Sequence, residues 1–166
     1  MTKEGIITDL LDVTKYADSE EIYIRDCIIE DLSLGFATFA YPVTIEKCII
    51  GTIRLHSTWF MQGLTLKNCI VKGKVEYEAG ENRQSIIIRN NIFLEPFIFW
   101  DCYFEADIIV QENIFSKDCS LLDTSNHFCT VCKSIHNFGA MNMKSEQTLS
   151  FGGNNFGKDM GLVEIE

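Results

Sequence analysis

The chain has 166 residues, of which 46% are apolar and 23% charged. That is enough for one domain with a buried core, and too apolar a balance for a disordered segment. The formal net charge of −10 opposes binding to a phosphate backbone, so a nucleic-acid partner is not expected. The acids are unevenly placed: residues 1–31 hold nine of them against Lys3, Lys15 and Arg25, a net of −6, which leaves −4 for the remaining 135 residues.

The start, Met1-Thr-Lys-Glu-Gly, shows no basic segment followed by a sustained apolar run, so no signal peptide is expected. No stretch approaches a transmembrane length, and no basic tract suggests contact with a membrane surface. Residues 4–17 carry Ile6, Ile7, Leu10, Leu11 and Val13 among acids. This spacing suggests a short amphipathic cap, a helix in preference to a strand. The cap is expected to occupy residues 1–21.

From residue 22 to 115 an 11-residue unit recurs without a break. Each unit opens apolar–any–apolar, continues through two mostly polar residues to Cys, Asn or a small residue, and then usually adds two apolar residues and a turn. The first apolar positions are Ile22, Leu32, Val43, Ile53, Leu64, Val75, Ile86, Phe97 and Ile108. Alternation within the unit is the period-two signature of a short strand. Turns are expected at Tyr41-Pro42, Gly51-Thr52, Gln62-Gly63, Lys72-Gly73 and Glu95-Pro96.

The sixth position distinguishes two kinds of unit. Odd-numbered units hold Cys27, Cys48, Cys69, Asn91 and Asn113, whereas even-numbered units hold Ala37, Thr58, Gly80 and Cys102. Two units therefore make one coil of 21–22 residues, and successive coils stack parallel strands. At the eighth position Ile29, Ile50, Val71, Phe93 and Phe115 fall on one side, and Phe39, Phe60 and Phe104 on the other, with Asn82 breaking the second series. Seven cysteines, four of them in one phase of the unit, read as small buried apolar groups in a reducing, cytoplasmic setting and not as a disulfide framework.

Segments such as Ile22-Tyr-Ile-Arg-Asp-Cys-Ile-Ile, Leu64-Thr-Leu-Lys-Asn-Cys-Ile-Val and Ile86-Ile-Ile-Arg-Asn-Asn-Ile-Phe resemble rungs of a right-handed parallel β-helix. Asn91 and Asn113 are similar to the asparagine ladders of that superfamily, which includes pectate-lyase-like proteins. The Cys-Ile-Ile and Asn-Ile-Phe steps also resemble pentapeptide-repeat proteins, although the apolar step is not five residues throughout. The resemblance covers about 95 residues, from 22 to 115. It implies an all-β, single-domain solenoid and does not imply an activity. Beyond residue 116 the rhythm blurs, so residues 116–166 are expected to form irregular coils and a C-terminal cap, with Leu149–Phe156 as one late rung.

Four sets of residues could carry function. His127, Cys129, Cys132 and His136 have a spacing compatible with zinc, but a second cysteine pair is missing, and the bland alternative is an irregular rung. Glu46, Lys67 and Arg89 share one outward position on successive coils, while Glu76 and Glu78 lie outward elsewhere. β-Helix enzymes that act on polysaccharides, lyases or hydrolases, use outward carboxylates and basic groups of this kind, and a charge ladder that keeps the sheet solvated uses them too. The acidic charge also permits a DNA-mimic inhibitor of the pentapeptide-repeat type, though its concentration at one end argues against this. Finally, the outward polar rule fails at Ile87, Ile98, Trp100 and Ile109. Ile87 and Ile109 share one position on adjacent coils, while Ile98 and Trp100 project from the intervening unit and are expected on another face; such a patch marks a binding surface unless the C-terminal segment covers it. The leading expectation is a non-enzymatic binding or scaffold protein with a protein partner or self-association, a homodimer included, and without a cofactor.

Overall fold

The structure, a computed structural model, describes residues 1–100, 102–116, 119–120, 127–129, 134–136, 141–143 and 149–156. These residues form a parallel β-solenoid of about five turns, with strand as almost the sole regular element. One face stacks Thr2–Glu4, Ile22–Arg25, Val43–Glu46, Leu64–Lys67, Ile86–Arg89, Ile108–Gln111 and Leu149–Gly152 in parallel register. The chain advances 21 residues from Ile22 to Val43 and from Val43 to Leu64, then 22 to Ile86 and 22 to Ile108. Two 11-residue units per coil, as the sequence suggests, therefore set the repeat.

The change from 21 to 22 falls at Lys72-Gly73-Lys74. Before it, the second face is carried by six-residue strands, Ile28–Ser33 and Ile49–Arg54. After it, that face divides into Ile70–Val71 and Val75–Glu78, which pair with the two ends of Ile49–Arg54. The turn expected at Gly51-Thr52 is absent, since both residues lie inside Ile49–Arg54. Glycine is needed at 51 because the Glu30 carbonyl oxygen of the preceding coil would stand 2.2 Å from any Cβ there.

Each coil changes direction at left-handed corners. Asp26, Lys47, Asn68, Asn90 and Glu112 adopt φ between 53° and 58° at one corner, and Phe36, Ser57 and Ala79 between 50° and 58° at the other. Such a backbone is unusual for residues other than glycine and asparagine, and here it recurs at these eight corners, about 11 residues apart where they follow one another. The corner sets the residue after it inward, the next outward and the third inward.

The interior is a set of stacked columns. Ile22, Val43, Leu64, Ile86 and Ile108 form one of them, and Ile24, Ile45, Leu66, Ile88 and Val110 another, all buried. Phe39 stacks on Phe60 with ring centroids 5.4 Å apart, and Phe93 on Phe115 at 5.1 Å. Burial of a side chain of this size contributes roughly 1.5–3 kcal/mol by transfer. Asn82 interrupts the Phe column for a reason visible in the same coil. Tyr77 is fully buried, and its hydroxyl lies 2.8 Å from both the Asn82 Oδ1 and the Thr58 carbonyl. The ring fills the space beside Gly80, where a Cβ would sit 2.3 Å from it. Tyr77, Gly80 and Asn82 thus replace a smaller apolar residue, a side chain at 80 and a Phe as one compensated set.

The N-terminal segment departs from the helical cap expected of it. Thr2–Glu4 and Ile7–Asp12 are strands that pair in register with Ile22–Arg25 and Ile28–Ser33, so the solenoid already runs through residues 2–12. The helical content near this end is a single 3-10 turn, Thr14–Tyr16. Pairing passes from Thr8 to Leu10 and omits Asp9. This converts strand alternation into the three- and four-residue apolar spacing that imitates an amphipathic helix. At the far end the chain advances 41 residues from Ile108 to Leu149, and the described part of this excursion includes an antiparallel pair, His127–Cys129 with Ser134–His136. The rung expected at Leu149–Phe156 is present, as Leu149–Gly152 and Asn155–Phe156.

Candidate functional site

The left-handed corner decides what each coil shows to solvent. In the Cys/Asn half, the inward residues after the corner are Cys27, Cys48, Cys69, Asn91, Asn113 and Asn154. Asn91 Oδ1 accepts the Cys69 N–H at 2.9 Å, Asn113 Oδ1 that of Asn91 at 2.9 Å, and Asn154 Oδ1 that of Asn113 at 2.9 Å. Their amide groups donate to the Leu66, Ile88 and Val110 carbonyls at 2.8–2.9 Å. This ladder satisfies buried backbone groups that strand pairing leaves open. Cys48 N–H meets the Cys69 Sγ at 3.4 Å, a weaker version of the same bond. Cys27, Cys48 and Cys69 are buried free thiols. Burial pushes the Cys27 thiol above its usual range, while the Cys69 thiol and burial together raise Cys48. Cys48 lowers the Cys69 thiol in return, and all three sulfurs are shut off from solvent as packing groups.

The next residue outward is isoleucine in every described coil until the last. Ile7, Ile28, Ile49, Ile70, Ile92 and Ile114 stand in register, and Asn155 follows them. Ile7 is 80% exposed, Ile28 43%, Ile70 36% and Ile114 44%, with Ile49 and Ile92 half-buried between them. At the spacing of stacked strands the column spans about 24 Å. Exposed Leu10 and Leu94 adjoin it near its two ends. Sequence reading missed this column because it took the two apolar residues after Cys or Asn as one inward step. The available signal was the unvarying Ile at the first of them.

The apolar residues singled out from the sequence form smaller groups. Ile87 and Ile109 are neighbours in one outward column, half-buried and flanked by Thr65 and Ser150. Ile87 borders a shallow depression with Pro42, Gln62 and Gln84. Ile98 lies on another face between Glu76 and Ser120, so the structure does not bring it to Ile87 and Ile109. Trp100 ends the strand Phe97–Trp100, and its side chain lies outside the described part.

Glu46, Lys67 and Arg89 do share one outward column, together with Glu4, Arg25 and Gln111. Lys67 Nζ lies 2.6 Å from Glu46 Oε2, and the Tyr23 hydroxyl bonds to Glu46 Oε1. Lys67 and then Tyr23 hold the Glu46 carboxyl below the usual carboxylate range, and Glu46 raises Lys67 in return. A carboxylate held ionised in this way is a poor general acid. Arg89 bonds to Gln111 and lies 3.8 Å from Glu112. The column alternates in charge from Glu4 to Lys67, and Arg89 and Gln111 follow it. Glu76 and Glu78 stand on a different face, in contact with Lys74 at 3.0 Å and with His56 Nδ1 at 3.0 Å. Together with Arg54 and exposed Phe36 they line a shallow, open depression.

For the Cys/His set, strand register places His127 opposite His136 and Cys129 opposite Ser134, while Cys132 lies outside the described residues. Among the described residues no cluster of three or more His, Cys, Asp or Glu is arranged to hold a metal ion, and no helix is long and apolar enough to cross a membrane.

Comparison of the chain with protein-family models, with curated proteins and with solved structures found no match. The functional reading therefore rests on the outward faces of the rod.

Proposed function

We propose that this chain is a non-enzymatic binding module, a short rod that engages a protein partner through the outward isoleucine column. The observation that supports this reading is the register of Ile7, Ile28, Ile49, Ile70, Ile92 and Ile114 on one face. Single exposed apolar residues are ordinary on protein surfaces, but a continuous stripe rimmed by polar residues is the usual mark of an interaction site. The reading locates the contact on a different face from Ile87, Ile98 and Ile109.

The asparagine ladder supports kinship of fold with the right-handed β-helix superfamily, and the buried thiols support a reducing, cytoplasmic setting. Capture experiments with immobilised protein test the module. The double variant Ile28→Glu, Ile70→Glu should lose whatever the wild-type rod retains from a cell extract, a second copy of the chain included. Equal capture by the variant would remove the face from consideration.

A further inference from the structure

We infer that the partner on the isoleucine face is a second copy of this chain, packed antiparallel about a two-fold axis between the coils of Ile28 and Ile49. The inference rests on the binding reading above and adds the occupant and its register.

The rims of the column carry the information. On one side, at the left-handed corner, stand Gly5, Asp26, Lys47, Asn68, Asn90 and Glu112; on the other stand Asp9, Glu30, Gly51, Lys72, Leu94 and Ser116. Apart from Gly51, which is covered by Glu30, all of these are exposed. A two-fold axis lying in the contact plane and perpendicular to the rod keeps each rim opposite itself and reverses the order of coils. With the axis between the coils of Ile28 and Ile49, Asp26 faces the second copy's Lys47, and Asp9 faces its Lys72. Each pair occurs twice. Rods packed parallel would instead place one rim against the other in the same coil, with Asp26 against Glu30. Like charges in that position oppose association.

The wider charge distribution supports the same arrangement. Residues 1–31 carry −6, whereas residues 43–78 hold Lys47, Arg54, Lys67, Lys72 and Lys74 against Glu46, Glu76 and Glu78, a net of +2. The antiparallel register lays the acidic coils of each copy over the basic coils of the other. Ile7, Ile28, Ile49 and Ile70 form the shared apolar strip, and Ile92 and Ile114 extend beyond it. Four rungs span roughly 14 Å of rod, below the extent of a standard stable interface, so association is expected in the micromolar range.

Sedimentation equilibrium of the full chain between about 5 and 500 µM at low salt tests this, across the range where interfaces of this size dissociate. The wild type should show a monomer–dimer equilibrium that weakens several-fold on raising the salt. Ile49→Asp should weaken it by about 100-fold or more, as expected for a central apolar contact used twice. Ile49→Thr, which preserves strand propensity, serves if Ile49→Asp unfolds the rod. Asp26→Lys and Lys47→Asp should each weaken it at least about 5-fold, and the double exchange should restore it. Trp59→Asp, at the exposed outward position of the other half of the coil, should leave it unchanged. A monomer at the highest concentration, no restoration by the double exchange, or equal damage from Trp59→Asp and Ile49→Asp would each overturn the inference. A monomeric wild type whose capture of another protein is still lost in Ile28→Glu, Ile70→Glu would overturn the second copy and leave the binding face standing. Loss of both would remove the two together.

Discussion

The two halves of each coil share a backbone and differ in what they show. From residue 22 onward both turn at a left-handed corner, both place a small residue inward after it, and both bury a large apolar residue two positions later, save Asn82. Between those two inward residues, the half that carries the Cys/Asn ladder presents isoleucine six times in succession. The other half presents Thr38, Trp59, Glu81 and Tyr103 at the same place. The second half is an internal control, and it shows that this backbone accepts polar and mixed residues at the outward position. The isoleucine column is therefore not a requirement of the corner or of the stacking. Its uniformity is what the proposed contact outside the rod would explain.

The inside of both halves should be equally indispensable, which gives the largest expected effect. Phe60→Ala and Phe93→Ala, one in each half, should each cost about 3–5 kcal/mol in urea unfolding. A much smaller cost at either site would break the equivalence of the two cores. Next comes the feature peculiar to the Cys/Asn half. Asn91→Ala removes the acceptor of the buried Cys69 N–H and a donor to the Leu66 carbonyl, and should cost about 2–4 kcal/mol. Asn91→Cys should cost less, because Cys69 already stands in that place for Cys48. Equal losses from the two variants would show that the ladder acts through volume alone.

A smaller effect is expected from acid. Glu46 ionises more readily in the folded rod than its ordinary value of 4.5, through Lys67 and Tyr23. Its contribution is present above that pH and is lost as the pH falls below it. Urea midpoints of the wild type should therefore drop relative to Glu46→Gln between neutral pH and the region below 4.5, by less than about 1 kcal/mol. A parallel pH dependence in the two proteins would remove Glu46 as the cause. The smallest effect belongs to the outward isoleucines themselves, where single changes to Thr should shift stability by no more than about 0.5 kcal/mol.

Much of this fold was legible in the sequence, because inward columns repeat their residue type. The 11-residue unit, the pairing of units into coils, the Cys/Asn ladder and the opposed Phe columns all follow from residues that cannot vary freely in a packed interior. Two features were not legible. The strand Ile7–Asp12 imitates a helix, since Asp9 falls out of the pairing and displaces the alternation by one residue. The outward column was hidden because Cys-Ile-Ile and Asn-Ile-Phe read as a single apolar step, and only the left-handed corner shows that its two members face opposite ways. Glu46, Lys67 and Arg89 do share one column, but the bonds that tie Glu46 to Lys67 and Tyr23, and Arg89 to Gln111, depend on side-chain reach that spacing does not give.

One measurement tests the division between inside and outside most directly. It is urea unfolding of the triple variant Ile28→Thr, Ile49→Thr, Ile70→Thr, with its self-association measured in the same preparation. The expected result is a loss of stability below about 1.5 kcal/mol in total, less than that of a single core phenylalanine, together with complete loss of association. Association retained, or a loss of stability as large as that of Phe60→Ala, would contradict it.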